Sequence, residues 1–233
     1  MILSLDSVQS MYYLDLHTHR LPADSAVLAV VCSLVQAEGV TSSDAPFRSY
    51  GIHPGQIEGD GERQWAVLRQ LAAQPDCVAI GEAGLDRLAA RPMALQRALF
   101  ERQADLAEAL GKPLIIHCVK AWEELLASRK RIRARQPWII HGFRGKAELA
   151  AQLLKQGFYL SFGWRFQQEA AKMAWQAQRL FVETDEAPVS IQSVYEQMAA
   201  ALSIDQHALC GQIQRNSAFL HLKNTTFVAN NPK

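Results

Sequence analysis

Short apolar runs recur along the chain, each closed by glycine or by a small cluster of polar residues. They are YYLDLHTH (12–19), AVLAVVCSLV (26–35), RSYGIHP (48–54), CVAIGEAGLD (77–86), PLIIHCV (113–119), PWIIHGF (137–143), FYLSFG (158–163) and LFVETD (180–185). Runs of this length, bounded by turn residues, predict strands. Between most of them apolar residues return at helical spacing. Residues 92–110 open on Pro92 and place Leu95, Leu99, Leu106 and Leu110 along one face, with Gly111 as C-cap and Pro113 beyond. Residues 146–156 repeat the pattern through Leu149 and Leu153, ended by Gly157. A final helical pair is expected over 190–202, capped by Ser190, and over 205–215.

Strands alternating with helices predict an α/β fold, a (β/α)₈ TIM-type barrel. One connection breaks the rule. Residues 21–25 are too few for a helical return to a parallel neighbour, which takes roughly a dozen residues or more. Run 26–35 is therefore expected to be antiparallel, irregular or outside the barrel proper, in a barrel trimmed at its first β–α crossover. One domain over 1–233 is the simplest organisation, with the leader 1–11 and the tail 222–233 peripheral.

Composition adds exclusions. With 233 residues, 49% hydrophobic, and a formal net charge of +1, the chain offers no bulk electrostatic attraction to nucleic acid. No apolar run reaches a membrane span, and 1–10 lacks the basic and apolar regions of a signal peptide, so a cytoplasmic protein is expected. Met11 is an alternative start, and Asn224-Thr225-Thr226 is a sequon without meaning in an unsecreted chain. Cys32, Cys77, Cys118 and Cys210 lack CxxC spacing and read as small buried hydrophobes. RKRIRAR (129–135) suggests phosphate binding, but it ends the helix before the sixth run and so belongs on the face opposite the strand C-termini. A solvated helix end complementing its dipole is the better reading.

The ionisable residues carry the chemistry. In a strand, Asp15, His17 and His19 share one face. Alone, that pattern fits either a half-exposed strand or a pair of metal ligands. The other runs then end on His53, Glu82, His117, His141 and Asp185, and the C-terminal strand ends of a parallel barrel converge on one mouth. Several imidazoles and carboxylates buried together without a cation would leave unpaired groups costing about 1–3 kcal/mol each. Four histidines, one glutamate and one aspartate suit a two-metal site, with the glutamate oxygens available to bridge.

With these residues placed, the chain resembles the TatD-like metal-dependent hydrolases of the amidohydrolase-type metal-barrel superfamily. The motifs are DLHTH, GIHP (51–54), GEAGLD (81–86), KPLIIHC (112–118), HGFRG (141–145), YLSFG (159–163), ETDEAP (183–188) and NSAF (216–219). The resemblance implies a divalent-metal site hydrolysing phosphodiesters, commonly DNA, with exonuclease or endonuclease activity. It assigns His17, His19 and Asp185 to one ion and His117 and His141 to the second, with Glu82 bridging. The fifth-strand motif departs from the usual histidine, small residue, arginine. It reads His117-Cys118-Val119-Lys120, which puts Lys120 one position later as the candidate phosphate contact.

The residues themselves suggest the mechanism. Metal ions lower the pKa of bound water, and Asp185 is placed to accept its proton. Glu82 and Asp185 are thus the catalytic candidates, with Lys120 as a candidate substrate contact and His53 either a substrate contact or a structural residue. Ser161 reads as packing beside the site, and Asp15 either orients an imidazole or is a satisfied buried carboxylate. Zinc, manganese, magnesium, nickel and iron all fit a donor set of imidazole and carboxylate. The expected partner is DNA or a small phosphodiester, with no membrane and no obligate protein partner. Two alternatives are a metal hydrolase of amides or lactones, whose relatives often bridge with a modified lysine where Glu82 stands, and a catalytically silent metal-binding barrel.

Overall fold

A computed structural model describes residues 12–40 and 44–222. Met11, the rest of the leader, the sequon at 224 and the tail beyond 222 lie outside the described residues. Eight strands form one sheet: β1 (Tyr13–Thr18), β2 (Val27–Leu34), β3 (Arg48–Gly51), β4 (Cys77–Asp86), β5 (Leu114–Val119), β6 (Trp138–Ile140), β7 (Tyr159–Phe162) and β8 (Leu180–Val182). Each pairs in parallel with its successor. Past β8, a parallel bridge joins Asp185 to Thr18, and the Asp185 amide donates to the His17 carbonyl at 2.9 Å. The sheet therefore curls round to its first strand at the mouth. Among the described residues seven α-helices accompany them, five between β3 and β8 and two after β8: α1 (Glu62–Leu71), α2 (Met93–Leu110), α3 (Trp122–Ile132), α4 (Ala147–Lys155), α5 (Gln168–Gln176), α6 (Ile191–Leu202) and α7 (Gln206–Asn216). No helix among the described residues is long and apolar enough to cross a membrane.

The expectation for the second run is corrected in one respect. The first crossover has no helix, as its length predicts, yet β2 is parallel to β1 and belongs to the barrel. Tyr13 pairs with Val27, so the chain must travel back along the whole of β1. Residues 19–26 do this as a strap. It bends at residues 19, 20 and 23 and closes in a turn at 25–26; eight residues can span up to about 26 Å, more than the roughly 20 Å length of a six-residue strand. The dozen-residue requirement belongs to helical crossovers, and a connection without a helix escapes it. On β2, Leu28 and Val30 join the main core, whereas Ala29 and Val31 form a separate small cluster with Ala45 from the following loop. That loop covers the face a crossover helix would otherwise cover.

The apolar face of α2 also differs from its leucine spacing. Leu99 is buried with Phe100, Ala104 and Ala107, but Leu110 is 41% exposed. Gln96 and Gln103, seven residues apart and so two turns along one stripe, occupy the rest of the buried face. Gln103 accepts from the Ile52 amide at 2.7 Å and donates to the Ile52 carbonyl at 3.2 Å. Gln96 does the same for Asp86, at 2.8 and 2.9 Å. A buried amide that reproduces backbone pairing is stable in an apolar face, and both clamps hold strand ends that lead into the mouth.

The basic run behaves as a helix end. Arg129 stacks on Trp138 and Phe158, with its carbon 5.2 and 4.6 Å from the ring centroids, and donates to the Gln156 carbonyl. Arg131 pairs with Glu101 of α2. These contacts gather at the starts of β6 and β7, away from the strand C-termini. Ser190 caps α6 by accepting from the Ser193 amide, and Asp205 caps α7 by accepting from the Ala208 amide.

Candidate metal centre

Every ionisable residue singled out at the strand ends, Lys120 apart, arrives in one cluster at the mouth. Glu82 lies inside β4, 4% exposed, and its carboxylate is the hub. Its Oε1 is 2.7 Å from His141 Nε2, 2.8 Å from His117 Nδ1 and 3.5 Å from His53 Nε2. Its Oε2 turns the other way, 3.5 Å from His17 Nε2. Asp185 Oδ1 stands 3.4 Å from His19 Nε2 and 3.7 Å from His17 Nε2. The two oxygens of one carboxylate thus face two groups of histidines.

Glycines in GEAGLD let β4 approach β5 closely enough for this. A Cβ on Gly84 would sit 1.9 Å from the His117 carbonyl oxygen. Gly81 has φ +138°, open essentially to glycine alone, and a Cβ there would lie 2.4 Å from the Ile115 carbonyl oxygen. The same motif supplies Asp86, whose Oδ2 is 3.3 Å from His117 Nε2, so that this ring has a carboxylate at each nitrogen. Glu183, fully buried just past β8, accepts from the Gly142 amide at 2.6 Å and lies 3.4 Å from His141 Nδ1. A carboxylate behind a ligating imidazole orients the ring and raises its basicity.

Electrostatics follow from this crowding. Burial works to raise the pKa of Glu82, but His141, His117 and His17 overcome it and hold the carboxyl well below the usual range. Burial works to lower that of His141, and Glu82 and Glu183 overcome it, raising it well above the ordinary value. Burial likewise works to raise Asp185, yet the bond to His19 and the charges of His17 and His141 leave it lowered. His53 is lowered, chiefly by burial. Its Nδ1 accepts from the Gly55 amide at 3.0 Å, which leaves Nε2 to carry the proton toward Glu82. At 3.5 Å, that nitrogen faces Glu82 Oε1 without a good hydrogen bond.

His17 tests whether metal fits. It is 0% exposed, and neither ring nitrogen makes a hydrogen bond among the described residues. Its nearest carboxylate oxygens, at 3.5 and 3.7 Å, are beyond good hydrogen-bond distance. Two ligands on one ion with bonds of about 2.1 Å stand at such separations. His17, His141 and Asp185 form one group whose donor atoms lie within 4.8 Å of one another, as do His53, Glu82 and His117, and as do His17, His19, Cys32 and Glu82. The residues fit divalent ions.

Other sequence readings resolve as follows. Asp15 is a satisfied buried carboxylate: it accepts from the Thr184 amide at 2.9 Å and from the Thr184 hydroxyl at 2.6 Å, joining β1 to β8 below the site. Burial pushes it up to about 7, against those two bonds. Ser161 is buried in β7, and its carbonyl accepts from the Phe143 amide. Lys120 stands exposed at the rim, one residue past β5, with φ +52°. A cavity of about 280 Å³ opens beside Asp185, lined by Gly142, Arg144, Gly163 and Trp164. Cys32, Asp86, Glu183 and the buried glutamines were not singled out by sequence reasoning. Asp86 and Glu183 lie inside the motifs GEAGLD and ETDEAP and were accessible there, whereas nothing in the sequence marks Cys32.

Comparison with known proteins bears on the family and the fold. The profile of the TatD related DNase family matches residues 32–220. The chain is 33% identical over 156 residues to the metal-dependent hydrolase YabD of Bacillus subtilis, covering 64% of this chain and 61% of that one. It is 34% identical over 160 residues to the 3'-5' RNA nuclease TATDN2 of Homo sapiens, covering 64% of this chain and 21% of the relative. It is 36% identical over 124 residues to the 3'-5' ssDNA/RNA exonuclease TatD of Cronobacter turicensis, covering 49% and 44%. The matched segments therefore span less than two thirds of these relatives. Among solved structures, the TatD homologue YjjV of Escherichia coli superposes with a TM-score of 0.75 at 21% identity, covering 89% of this chain and 97% of that one, a likeness of fold.

Proposed function

The chain belongs to the TatD related DNase family, and from that premise we propose that it is a divalent-metal-dependent phosphodiesterase acting on single-stranded nucleic acid. The observation that carries the reading is His17, buried without a hydrogen bond between the carboxylates of Glu82 and Asp185. In this reading the whole chain is one barrel domain, and His17, His19 and Asp185 hold one ion. His117 and His141 would hold the second, with Glu82 as the carboxylate shared between them.

When bound, divalent ions supply positive charge for a phosphoryl oxygen and make water acidic enough to attack near neutral pH. The protein does the rest. Asp185 is the more exposed of the two acidic donors, its side chain 35% accessible against 6% for Glu82, and it is the one that a water and a phosphate entering the mouth would meet. Its lowered pKa keeps it ionised at neutral pH, so its free oxygen accepts the proton of the attacking water. Glu183 and Asp86 hold the rings of His141 and His117 in place. His53, directed at Glu82 from the rim, and Lys120 beyond β5 contact the substrate phosphate.

The matched nuclease relatives are named for 3'-5' action on ssDNA and RNA, and the test follows from that. Protein stripped of metal and reloaded with Mg²⁺, Mn²⁺ or Zn²⁺ is incubated with end-labelled single-stranded DNA and RNA of one sequence. The proposal expects metal-dependent shortening from the 3' end. Absence of any cleavage by protein shown to hold metal contradicts it and moves the reading to small-molecule hydrolysis or a silent barrel.

A further inference from the structure

We propose that Cys32 contributes a sulfur ligand to the ion held by His17 and His19, and that it biases that position toward zinc over magnesium and manganese. The inference rests on the metal centre proposed above and adds a donor to it.

The placement is geometric. On β2, Leu28 and Val30 point into the main core, while Ala29 and Val31 pack outward. Alternation then turns Cys32 inward, one pleat above Val30 and toward the mouth. Its side chain is buried, 7% exposed. Its sulfur lies within 4.8 Å of donor atoms on His17, His19 and Glu82, and those atoms lie equally close to one another. No other cysteine joins such a group among the described residues. The Cys77 thiol instead donates to the Ala79 carbonyl.

The second observation is independent of the cysteine. His17 is fully buried in the same cluster with both ring nitrogens lacking a hydrogen bond. A desolvated imidazole beside an inward thiol, a second imidazole and a carboxylate brings two nitrogens, one oxygen and one sulfur together, and Asp185, assigned to the same ion above, would be a fifth donor. Such sets suit zinc, which accepts thiolate and imidazole together and accommodates four or five donors. Magnesium prefers oxygen and keeps its waters, so a sulfur in the ring of donors disfavours it. On binding, the thiol proton passes to solvent, and the thiolate lowers the net charge of the occupied site by one. The register agrees, since Thr18 pairs with Val31 and so brings position 32 level with His19.

The test uses the full chain, stripped with chelator and titrated with Co²⁺. Bound cobalt gives visible ligand-field bands whatever its donors, and a near-ultraviolet charge-transfer band only with thiolate. The wild type is expected to show both. Cys32→Ser and Cys32→Ala should keep the visible bands and lose the near-ultraviolet band, while Cys118→Ser keeps both. In competition with a fluorescent chelator, Zn²⁺ affinity should fall on the order of tenfold or more in Cys32→Ser, with Mn²⁺ affinity little changed. Visible bands without a thiolate band in the wild type, or a thiolate band surviving in Cys32→Ser, would overturn the inference and leave the metal centre standing. A wild type with no cobalt bands at all would overturn both. Circular dichroism of each variant separates loss of a ligand from loss of the fold.

Discussion

Gln103 should be worth more to this protein than its place on a helix suggests. It is 1% exposed, on the buried stripe of α2, and its amide closes a two-bond pair with the backbone of Ile52 at 2.7 and 3.2 Å. Ile52 is the residue between the end of β3 and His53. Gln103→Leu keeps the volume and removes both bonds, leaving a buried N–H and a buried C=O unsatisfied at about 1–3 kcal/mol each. Because the leucine adds apolar contacts, the expected loss is about 2–5 kcal/mol by urea denaturation, with an unchanged slope. For a chain of this length the melting temperature should fall by roughly 5–15 °C. Gln103→Glu sharpens the test. An ionised carboxylate still accepts from the Ile52 amide but faces the Ile52 carbonyl with a second acceptor. Protonated, it donates to that carbonyl as the amide does. The glutamate variant should therefore be the less stable at neutral pH and recover toward wild type as the pH falls, a rescue the leucine variant cannot show. A loss below about 0.5 kcal/mol in Gln103→Leu would refute the clamp, as would equal pH profiles for the two variants.

Other expectations follow from the same geometry. Gly84→Ala must open β4 from β5 by about 1 Å to relieve a 1.9 Å approach to the His117 carbonyl. It should destabilise the fold and cut hydrolysis on the order of a hundredfold by displacing His117, and near-normal turnover would contradict the packing argument. The Tyr50 hydroxyl donates to Asp76 at 2.7 Å and accepts from Arg48 at 3.0 Å. Burial, reinforced by the bond to Asp76, pushes it up from 10.0 to about 12. A folded-state value above the free value means stability present below pH 10 and lost as the pH rises through 10 to 12, a decline that Tyr50→Phe should flatten in alkaline melts. Lys120→Ala should weaken hydrolysis of phosphodiesters more than that of neutral esters, and equal effects would discard Lys120 as a phosphate contact.

The sequence disclosed the strands better than their boundaries. CVAIGEAGLD is a strand over its full predicted length, whereas PWIIHGF shortens to Trp138–Ile140 because the chain turns at His141 to present its ring. The parallel placement of β2 was hidden because connection length was weighed against helical crossovers, and a strap leaves no periodic signal. Leu110 looked like core from its spacing, but Gln96 and Gln103 hold the buried face of α2. No hydrophobicity pattern reveals a polar residue whose partner is backbone fifty residues away. The site was legible because imidazoles and carboxylates ending apolar runs are conspicuous. Cys32 was not, since a thiol in an apolar strand looks like any small hydrophobe until the fold brings histidines beside it.

The most direct test of the metal centre is one hydrolysis measurement. Wild type and Asp185→Asn are stripped with chelator, reloaded with a single divalent ion, and assayed on a small generic phosphodiester. The account predicts turnover by the wild type that vanishes on chelation and returns with metal, and a folded variant that has lost nearly all of it. Turnover that survives chelation, or that Asp185→Asn leaves intact, would contradict it.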